Sequence, residues 1–396
     1  MNILFLTMIK AEIDQRGIYY DLMRKIRDDG HCLYVVSPVE RKYNRSTSLR
    51  IEKGVHILEV KSLNLFDTNL IEKGLAQLLL GDRYYNSIRH YFPDISFDLV
   101  LYSTPPITFQ GIVYKLKKLN PNLTSYLMLK DIFPQNALDL GIFKKWNPIY
   151  RYYRNQEKRL YKVSDYIGCM SPANKDYLLK YNPELLESKV EIAPNSIELT
   201  ESIKTNKEAV RKKYGLPPDK PIFLYGGSIN KPQGIEFIID CLKGNSHRND
   251  CIILVVGFGY GVDLVKKALN DNGGSSVIVM NGLPKREYDE LASACDVGMI
   301  FLDYRFTIPN YPSRLLPYLE NKMPVICATD PNSDVGKIAE ENGYGYWCES
   351  TSVDGFTAML DKMIHSDIQA MGEKGYEFLK MNYQVDNTYK VIMSHV

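Results

Sequence analysis

The strongest constraint on the fold is an alternation of short apolar runs with segments of helical spacing. In the first half, runs such as NILFLT (residues 2–7), CLYVVSP (32–38) and DLVLYS (98–103) are separated by segments such as IYYDLMRKIRD (18–28). Parallel strands need long crossover connections, which are usually helices. The alternation therefore predicts an α/β fold with a parallel sheet covered by helices on both faces.

The pattern then restarts after a polar, proline-containing stretch near Pro194, which predicts a second domain of the same kind. The second series consists of five apolar runs: residues 220–228, 251–259, 276–283, 297–302 and 323–329. We expect two Rossmann-like domains, 1–194 and 195–375, that face each other across a cleft. A last helical segment, 376–396, is expected to pack back on the first domain.

Composition excludes several classes of protein. The chain is 45% hydrophobic, but no run approaches the roughly 20 apolar residues that span a bilayer. Its seven cysteines are scattered, without a C-x-x-C pair or a His/Cys cluster, and no H-E-x-x-H occurs. The N-terminus has no features of a signal peptide. These observations indicate a reduced cytosolic protein without structural zinc.

The stretch LYGGSINKPQG, residues 224–234, has the order of a strand, a glycine-rich turn and a helix start. It matches neither the Walker spacing nor the G-x-G-x-x-G fingerprint. Glycine lets backbone N–H groups approach an anion at a helix N-terminus, so the turn is compatible with phosphate binding. It is equally compatible with a purely structural left-handed turn, and Lys231 with a solvated loop lysine.

Several segments together identify a family resemblance. They are 103–118 (STPPITFQGIVYKLKK), 127–141 (LMLKDIFPQNALDLG), 171–178 (SPANKDYL), 193–198 (APNSIE), 226–239 (GGSINKPQGIEFII), 281–300 and 311–330. In order and spacing, these segments resemble the retaining GT-B glycosyltransferases of the glycosyltransferase 4 group. The similarity is greatest to bacterial enzymes of capsule and O-antigen synthesis.

The resemblance implies a retaining, metal-independent hexosyltransferase that needs no cofactor. Its donor would be a nucleotide sugar, UDP-linked, and its acceptor a saccharide on a polyprenyl diphosphate. The catalytic candidates are Lys130, Asp131, Lys231 and Arg314. The donor-binding candidates are Gly17, Gly226, Gly227, Ser228, Lys231, Gln233, Gly257, Gly259, Gly282, Leu283, Pro312, Ser313, Arg314 and Glu320.

The charge on the leaving diphosphate grows as the glycosidic bond breaks, and fixed amides and cations stabilise it. Lys231 supplies one cation, and Arg314 supplies a planar fork suited to phosphate oxygens. Ser313 is expected to open a helix whose N-terminus adds partial positive charge. Arg314 is also compatible with a surface pair to Glu320 or Asp330.

This chain departs from the family pattern at the sugar. Many relatives carry histidine where Lys130 stands, in contact with the donor sugar. Two glutamates that flank the PSR segment in relatives are Pro309 and Pro317 here. Glu320, one turn beyond Pro317, is compatible with a ribose contact or with a plain surface position.

The usual arginine and lysine of the diphosphate loop are replaced by Ser228 and Gln233, which leaves Lys231 as the one cation of that loop. Asp131 follows an apolar strand and is compatible with two roles. Its carboxylate could accept the proton of an acceptor hydroxyl or fix the sugar, or it could form an Asx turn before Pro134.

The first half is basic, with 28 lysines and arginines against 21 acidic residues in 1–195. Two stretches, 78–92 and 150–162, interleave tyrosine with basic residues. They are compatible with binding to an anionic membrane surface, or with ordinary helices whose tyrosines point into the core. No nucleic-acid-binding motif accompanies them. We expect a cytoplasmic protein, peripheral on the inner face of the cell membrane.

Two other functions remain compatible with the sequence. A UDP-N-acetylglucosamine 2-epimerase has the same two-domain fold, although it needs cleft carboxylates and histidines, and only six histidines occur here. A non-catalytic, degenerate partner subunit would explain the missing glutamates and the lysine at position 130.

Overall fold

The computed structural model describes residues 1–200, 206–270 and 274–396. The chain forms two compact units. Unit 1 contains Met1–Glu198 and Gln384–Val396, and unit 2 contains Leu199–Tyr383. The chain thus leaves unit 1 four residues later than the expected boundary after Pro194.

Unit 1 is built on an eight-stranded sheet with the order β3-β4-β2-β1-β5-β6-β7-β8. All neighbouring strands are parallel except β3 and β4, which form an antiparallel hairpin. The strands are β1 (Asn2–Leu6), β2 (Cys32–Glu40), β3 (Ser48–Glu52), β4 (Val55–Ser62), β5 (Leu99–Ser103), β6 (Thr124–Leu129), β7 (Tyr166–Cys169) and β8 (Val190–Ile192).

Helices join these strands as the alternation predicted. They are α1 (Ile18–Asp28), α2 (Leu70–Tyr91), α3 (Gln110–Leu119), α4 (Gln135–Asp139), α5 (Pro148–Val163) and α6 (Pro172–Tyr181). The central strands β5 and β6 are buried except at Thr124, the first residue of β6, as expected for a sheet covered on both faces. Their carboxyl ends carry Thr7, Ser103 and Lys130 to one edge of the sheet.

Unit 2 contains a six-stranded parallel sheet with the order β11-β10-β9-β12-β13-β14, which is the Rossmann order. Its strands are β9 (Ile222–Ser228), β10 (Ile252–Phe258), β11 (Val277–Asn281), β12 (Val297–Phe301), β13 (Val325–Thr329) and β14 (Gly345–Glu349). The five predicted runs are confirmed, and β14 is an additional edge strand.

The helices of unit 2 cover both faces of this sheet. They are α7 (Lys207–Lys213), α8 (Ile235–Gly244), α9 (Gly261–Asn270), α10 (Lys285–Ala292), α11 (Leu315–Glu320), α12 (Val335–Glu341), α13 (Val353–Ile364) and α14 (Ile368–Asn382). None of the helices in the described part of the chain is long and apolar enough to span a membrane.

The C-terminal segment differs from the single helix expected over 376–396. Helix α14 runs through position 376 and stays in unit 2, and a break at Tyr383 precedes α15 (Val385–Met393) in unit 1. Two hydrogen bonds fix α15: Val385 N donates to Ile197 O at 2.9 Å, and Thr388 Oγ1 donates to Pro194 O at 3.0 Å. The boundary after residue 375 is therefore wrong by eight residues.

Candidate functional site

The glycines of the stretch 224–234 lie in strand β9 rather than in the turn. Gly226 pairs with Val256 of β10, and Gly227 with Gly257. A Cβ atom on Gly226 would lie 2.5 Å from Cζ of Tyr288, so the tyrosine ring requires glycine there. The Gly226 N–H donates to Tyr318 Oη at 2.9 Å. This amide is therefore engaged within the protein, contrary to the expected amide cradle at Gly226.

Arg314 lies directly against this strand end. Its Nη1 donates to the carbonyl oxygen of Gly226 at 3.1 Å, and its guanidinium carbon is 4.5 Å from the ring centre of Tyr225. A Cβ on Gly227, whose φ is +117°, would lie 3.6 Å from Nη2. The structure thus brings together the two segments that the sequence assigned to one phosphate group.

The surroundings of Asp330 exclude one of the alternatives for Arg314, a surface pair with that carboxylate. Asp330 is fully buried, and its carboxylate accepts hydrogen bonds from Asn332 N, Ser333 N and Ser333 Oγ. Burial raises the pKa of Asp330 to about 6, although those hydrogen bonds oppose the shift. Asp330 organises its own loop and is not the partner of Arg314.

The turn itself is a single 3₁₀ turn, Lys231–Gln233, closed by a capping box. Gln233 Oε1 accepts from Asn230 N at 3.0 Å, and the Asn230 side chain accepts from Gln233 N. Gly234 has φ of +72° and lies against the Asp303 backbone, where a Cβ would approach Cα to 3.4 Å. The left-handed turn is therefore real, and it holds Lys231 in a defined place.

Lys231 is half-buried, and within the described ranges its ammonium group makes no hydrogen bond or ion pair. Gln233, in contrast, uses its side-chain oxygen in the cap. Lys231 and Arg314 are thus two cationic side chains near the carboxyl end of β9, one unpaired among the described residues and one bonded to a backbone carbonyl.

The second glycine pair, Gly257 and Gly259, packs against this turn. Ile229 N donates to Phe258 O at 2.8 Å, and a Cβ on Gly257 would lie 3.0 Å from the Ile229 side chain. Gly259 has φ of +99°. The two strand ends therefore need glycine partly for their own close packing, whatever they bind.

Gly282 and Leu283 follow β11 at the same edge of the sheet. A Cβ on Gly282 would lie 3.5 Å from Gly257 O. These residues therefore lie beside the carboxyl end of β10.

The segment around Arg314 differs from the prediction in one respect. Helix α11 begins at Leu315 with Arg314 as its N-cap, and no side chain caps it. Ser313 is exposed and precedes the helix, and Pro312 is half-buried beside it. Ser313 therefore does not open a helix, because the chain turns at residues 313–314 before the helical bonds start. Glu320 ends α11, with Oε1 3.5 Å from Thr200 Oγ1.

Unit 1 places a second polar cluster at the carboxyl ends of β5 and β6. The backbone N–H groups of Lys130 and Asp131 both donate to Thr104 Oγ1 at 3.1 Å. Thr104 is buried, so it fixes the direction in which the two side chains leave the strand. Asp131 is exposed, and no backbone N–H of the described residues donates to its carboxylate, as an Asx turn would require.

The Lys130 side chain is half-buried and contacts two residues of unit 1, Asn195 and Tyr19. Its Nζ bonds to Asn195 Oδ1 and lies 5.3 Å from the ring centre of Tyr19, whose hydroxyl is 3.0 Å from Ser103 Oγ. Burial lowers the pKa of Lys130 to about 7, and the Asp131 charge opposes this shift. Lys130 therefore gains or loses its proton near neutral pH rather than remaining a permanent cation.

The Asp131 carboxyl is perturbed in the complementary direction. Surrounding protein atoms raise its pKa to about 6, and the Lys130 charge opposes the shift. Burial raises the pKa of Tyr19 to about 12, and the charge of Asp131 adds a smaller increase. The hydrogen bond to Ser103 opposes this shift. Two groups that change charge near neutral pH therefore lie side by side.

Gly17 belongs to unit 1, whereas the other donor-binding candidates belong to unit 2. Its N–H donates to Asp21 Oδ1 at 2.9 Å at the start of α1. Asp21 also accepts from Glu198 N at 2.9 Å. The Gly17 amide therefore helps to position the carboxylate that holds Glu198, where the chain leaves unit 1.

Sequence analysis missed the tyrosines that surround Arg314 and the residues that hold Lys130. Tyr225, Tyr288 and Tyr318 lie in three separate segments and carry no spacing signal. Asn195 lies in the segment 193–198, which the sequence identifies only through the family resemblance. In the described ranges, no group of three or more His, Cys, Asp or Glu residues could hold a metal ion.

Comparison with known proteins finds a family match within unit 2. Residues 206–378 match the family model described as Glycosyl transferases group 1. This match covers β9 to β14 and includes Lys231 and Arg314.

A curated relative and two solved structures resemble the chain over most of its length. A probable glycosyltransferase, WbjE of Pseudomonas aeruginosa, is 23% identical over 318 residues, which is 79% of this chain and 77% of the relative. Sucrose-phosphate synthase of Thermosynechococcus elongatus has a TM-score of 0.78 at 13% identity, over 99% of this chain and 97% of the other. Anabaena HepE in complex with UDP-glucose has a TM-score of 0.70 at 13% identity, over 100% and 99%.

Proposed function

We propose that this chain, a GT-B glycosyltransferase that uses a nucleotide sugar, transfers the sugar of a UDP-linked donor to a lipid-linked saccharide with retention at the anomeric carbon. The reaction would need no metal ion and no cofactor. It would take place on the inner face of the cell membrane, in the synthesis of a capsule or O-antigen repeat unit.

The observation that carries this proposal is the contact of Arg314 with the β9 end beside Lys231. A leaving nucleoside diphosphate gains negative charge in the transition state, and two fixed cations stabilise that charge without reorganising. Both residues lie inside the group 1 domain. The UDP-glucose complex of HepE, a structure of the same fold, supports the choice of uridine.

We assign the donor to unit 2, residues 199–383, and the acceptor to unit 1. Asp131 would orient the acceptor hydroxyl or accept its proton, with Lys130 beside it. In a retaining reaction on one face of the sugar, the bond from the anomeric carbon to the phosphate oxygen breaks. The acceptor oxygen bonds to the same face, and its proton passes to the leaving phosphate or to Asp131.

The acceptor and the pathway are inferred separately from the donor. The resemblance to capsule and O-antigen enzymes motivates both, and the WbjE relative agrees with a glycosyltransferase of bacterial origin.

Thermal-shift measurements test the donor. A nucleotide at a hundred times its dissociation constant stabilises the folded state by about 2.7 kcal/mol. We expect UDP to raise Tm more than GDP or ADP at equal concentration. We also expect the enzyme to transfer sugar from a radiolabelled UDP-sugar when membrane lipid is present. An equal response to all three nucleotides, or hydrolysis of the donor without transfer to lipid, would contradict the proposal.

A further inference from the structure

The loop before α5 and the first turns of that helix expose an unusual set of side chains. Ile142, Trp146, Ile149 and Tyr152 are all exposed, and Trp146 most of all at 70%. A turn closed by Asn147 N and Lys144 O, 2.9 Å apart, holds Trp146 outward. The Asn147 side chain then caps α5 by accepting from Ile149 N at 2.8 Å. The four side chains thus project from one ordered segment, which we call the Trp146 surface.

The charges around these side chains have one sign. Residues 142–159 contain six lysines and arginines and a single acidic residue, Glu157. Glu157 is buried and accepts from Arg154 Nη1 at 2.6 Å, so it contributes nothing to the exposed face. The Trp146 surface is therefore apolar and cationic.

Most of these cations are unpaired among the described residues. Lys144, Lys145, Arg151 and Arg159 are exposed and form no ion pair there, whereas Lys158 pairs with Glu184 at 3.2 Å. The Lys144 ammonium lies 5.8 Å from the Trp146 ring centre. Unpaired cations beside exposed apolar groups are complementary to a partner that has an anionic surface above an apolar layer.

We propose that the Trp146 surface is where the protein docks on an anionic lipid bilayer. Tryptophan prefers the membrane–water interface, isoleucine enters the acyl boundary, and lysines reach the headgroups along their apolar stems. Anionic lipids add attraction for each cation near the surface. The inference rests on the proposed lipid-linked acceptor and names the part of the molecule that would meet the membrane.

The Trp146 surface is continuous with the polar cluster of unit 1. The loop that starts at Asp131 carries Phe133, whose ring packs 5.1 Å from that of Tyr153 and 6.2 Å from that of Phe143. Tyr150 Oη donates to Gln135 Oε1 at 3.1 Å. The strand-end loop is thus braced on α5, so a docked bilayer would lie beside the segment that presents Asp131.

A second exposed apolar group competes for this role and serves as the control. Leu75, Leu78 and Leu79 of α2 are exposed, but Asp82 on the same helix pairs with Lys115 at 2.6 Å. Tyr84 of the stretch 78–92 is fully buried and donates to Thr7 O at 2.8 Å, so the core interpretation holds for it. This helix has fewer unpaired cations to complement an anionic surface.

Intrinsic fluorescence gives a direct readout, because the chain has two tryptophans. Trp347 donates from Nε1 to Thr329 Oγ1 at 2.9 Å inside unit 2. In a Trp347→Phe background, Trp146 emission should shift to shorter wavelength with phosphatidylcholine vesicles that contain phosphatidylglycerol. Salt should reverse the shift. No shift with these vesicles, or the same shift with phosphatidylcholine alone, would overturn the proposal.

Vesicle flotation tests the location. We expect Lys144→Ala/Lys145→Ala to weaken partitioning about fivefold for each lysine removed, and Trp146→Ser/Ile149→Ser to abolish it. The matched controls, Leu75→Ser/Leu78→Ser and Lys73→Ala/Lys118→Ala, should float like the wild type. Loss of flotation only in the two control variants would overturn the proposal. A normal UDP thermal shift in each variant separates this outcome from failure of the proposed function.

Discussion

The Arg314 guanidinium donates to the carbonyl oxygen of Gly226 at 3.1 Å, across 88 residues of sequence. One edge of the planar fork is thereby fixed by the backbone, and the remaining N–H groups can still meet an anion. A lysine has a single ammonium group and cannot reproduce this division. The pair therefore explains why an arginine, and not merely a positive charge, stands at this position.

We expect Arg314→Lys to lower kcat/KM for the donor about 100- to 1000-fold, close to the effect of Arg314→Ala. Steady-state kinetics with the donor varied would measure this. Arg286→Lys, on the exposed face of α10, is the matched control and should be neutral. Activity of Arg314→Lys within threefold of the wild type would contradict a fork-specific role.

The packing of Gly226 leads to a stability prediction. Gly226→Ala should destabilise the protein by about 1–3 kcal/mol, because its Cβ meets the Tyr288 ring. In a Tyr288→Ala background the clash is removed, so Gly226→Ala should cost less stability there than it costs in the wild type. Gly74→Ala in α2, where a Cβ meets nothing within 4 Å, should instead stabilise by up to about 1 kcal/mol. Urea unfolding of the four variants would show whether the steric account holds, and it fails if Gly226→Ala is neutral.

The pKa of Asp131, raised to about 6, predicts an acidic limb in the pH profile. As pH falls through 6 the carboxylate takes up a proton and can no longer accept one from the acceptor, so kcat/KM should fall. Because the Lys130 charge lowers the pKa of Asp131, Lys130→Met should move this limb to higher pH. Asp131→Asn should remove the limb and lower activity, while exposed Asp94→Asn should change neither. An acidic limb that survives in Asp131→Asn would assign it to another group.

Metal removal tests whether protein cations, and not a metal ion, neutralise the charge of the diphosphate. With Lys231 and Arg314 as the stabilising cations, activity should survive EDTA unchanged. A loss of activity that magnesium or manganese restores would show that the diphosphate is neutralised by a metal ion instead.

Much of the fold could be predicted from the sequence, because buried parallel strands leave continuous apolar runs. The short edge strands β3, β8 and β14 were not predicted, since a few residues at a sheet edge carry little pattern. The break at Tyr383 was also not predicted, because helical spacing continues on both sides of it.

The site could be predicted only as segments. The turn at Lys231 and the segment at Arg314 were found, and the structure places Arg314 on the β9 end. The occupied amide of Gly226 could not be predicted, because Tyr318, its acceptor, lies 92 residues away. The contacts of Lys130 with Tyr19 and Asn195 could not be predicted either, because they depend on how distant strand ends meet.

The most direct test of the account is the kinetics of Lys231→Ala. Contacts that strengthen as the leaving diphosphate gains charge contribute more to the transition state than to the bound donor. We therefore expect kcat to fall about 100- to 1000-fold, with weaker UDP binding. Lys212→Ala, at an exposed position of α7, should match the wild type. A folded Lys231→Ala enzyme with near wild-type kcat and donor affinity would contradict the central claim, because the turn would then be structural and the diphosphate bound elsewhere.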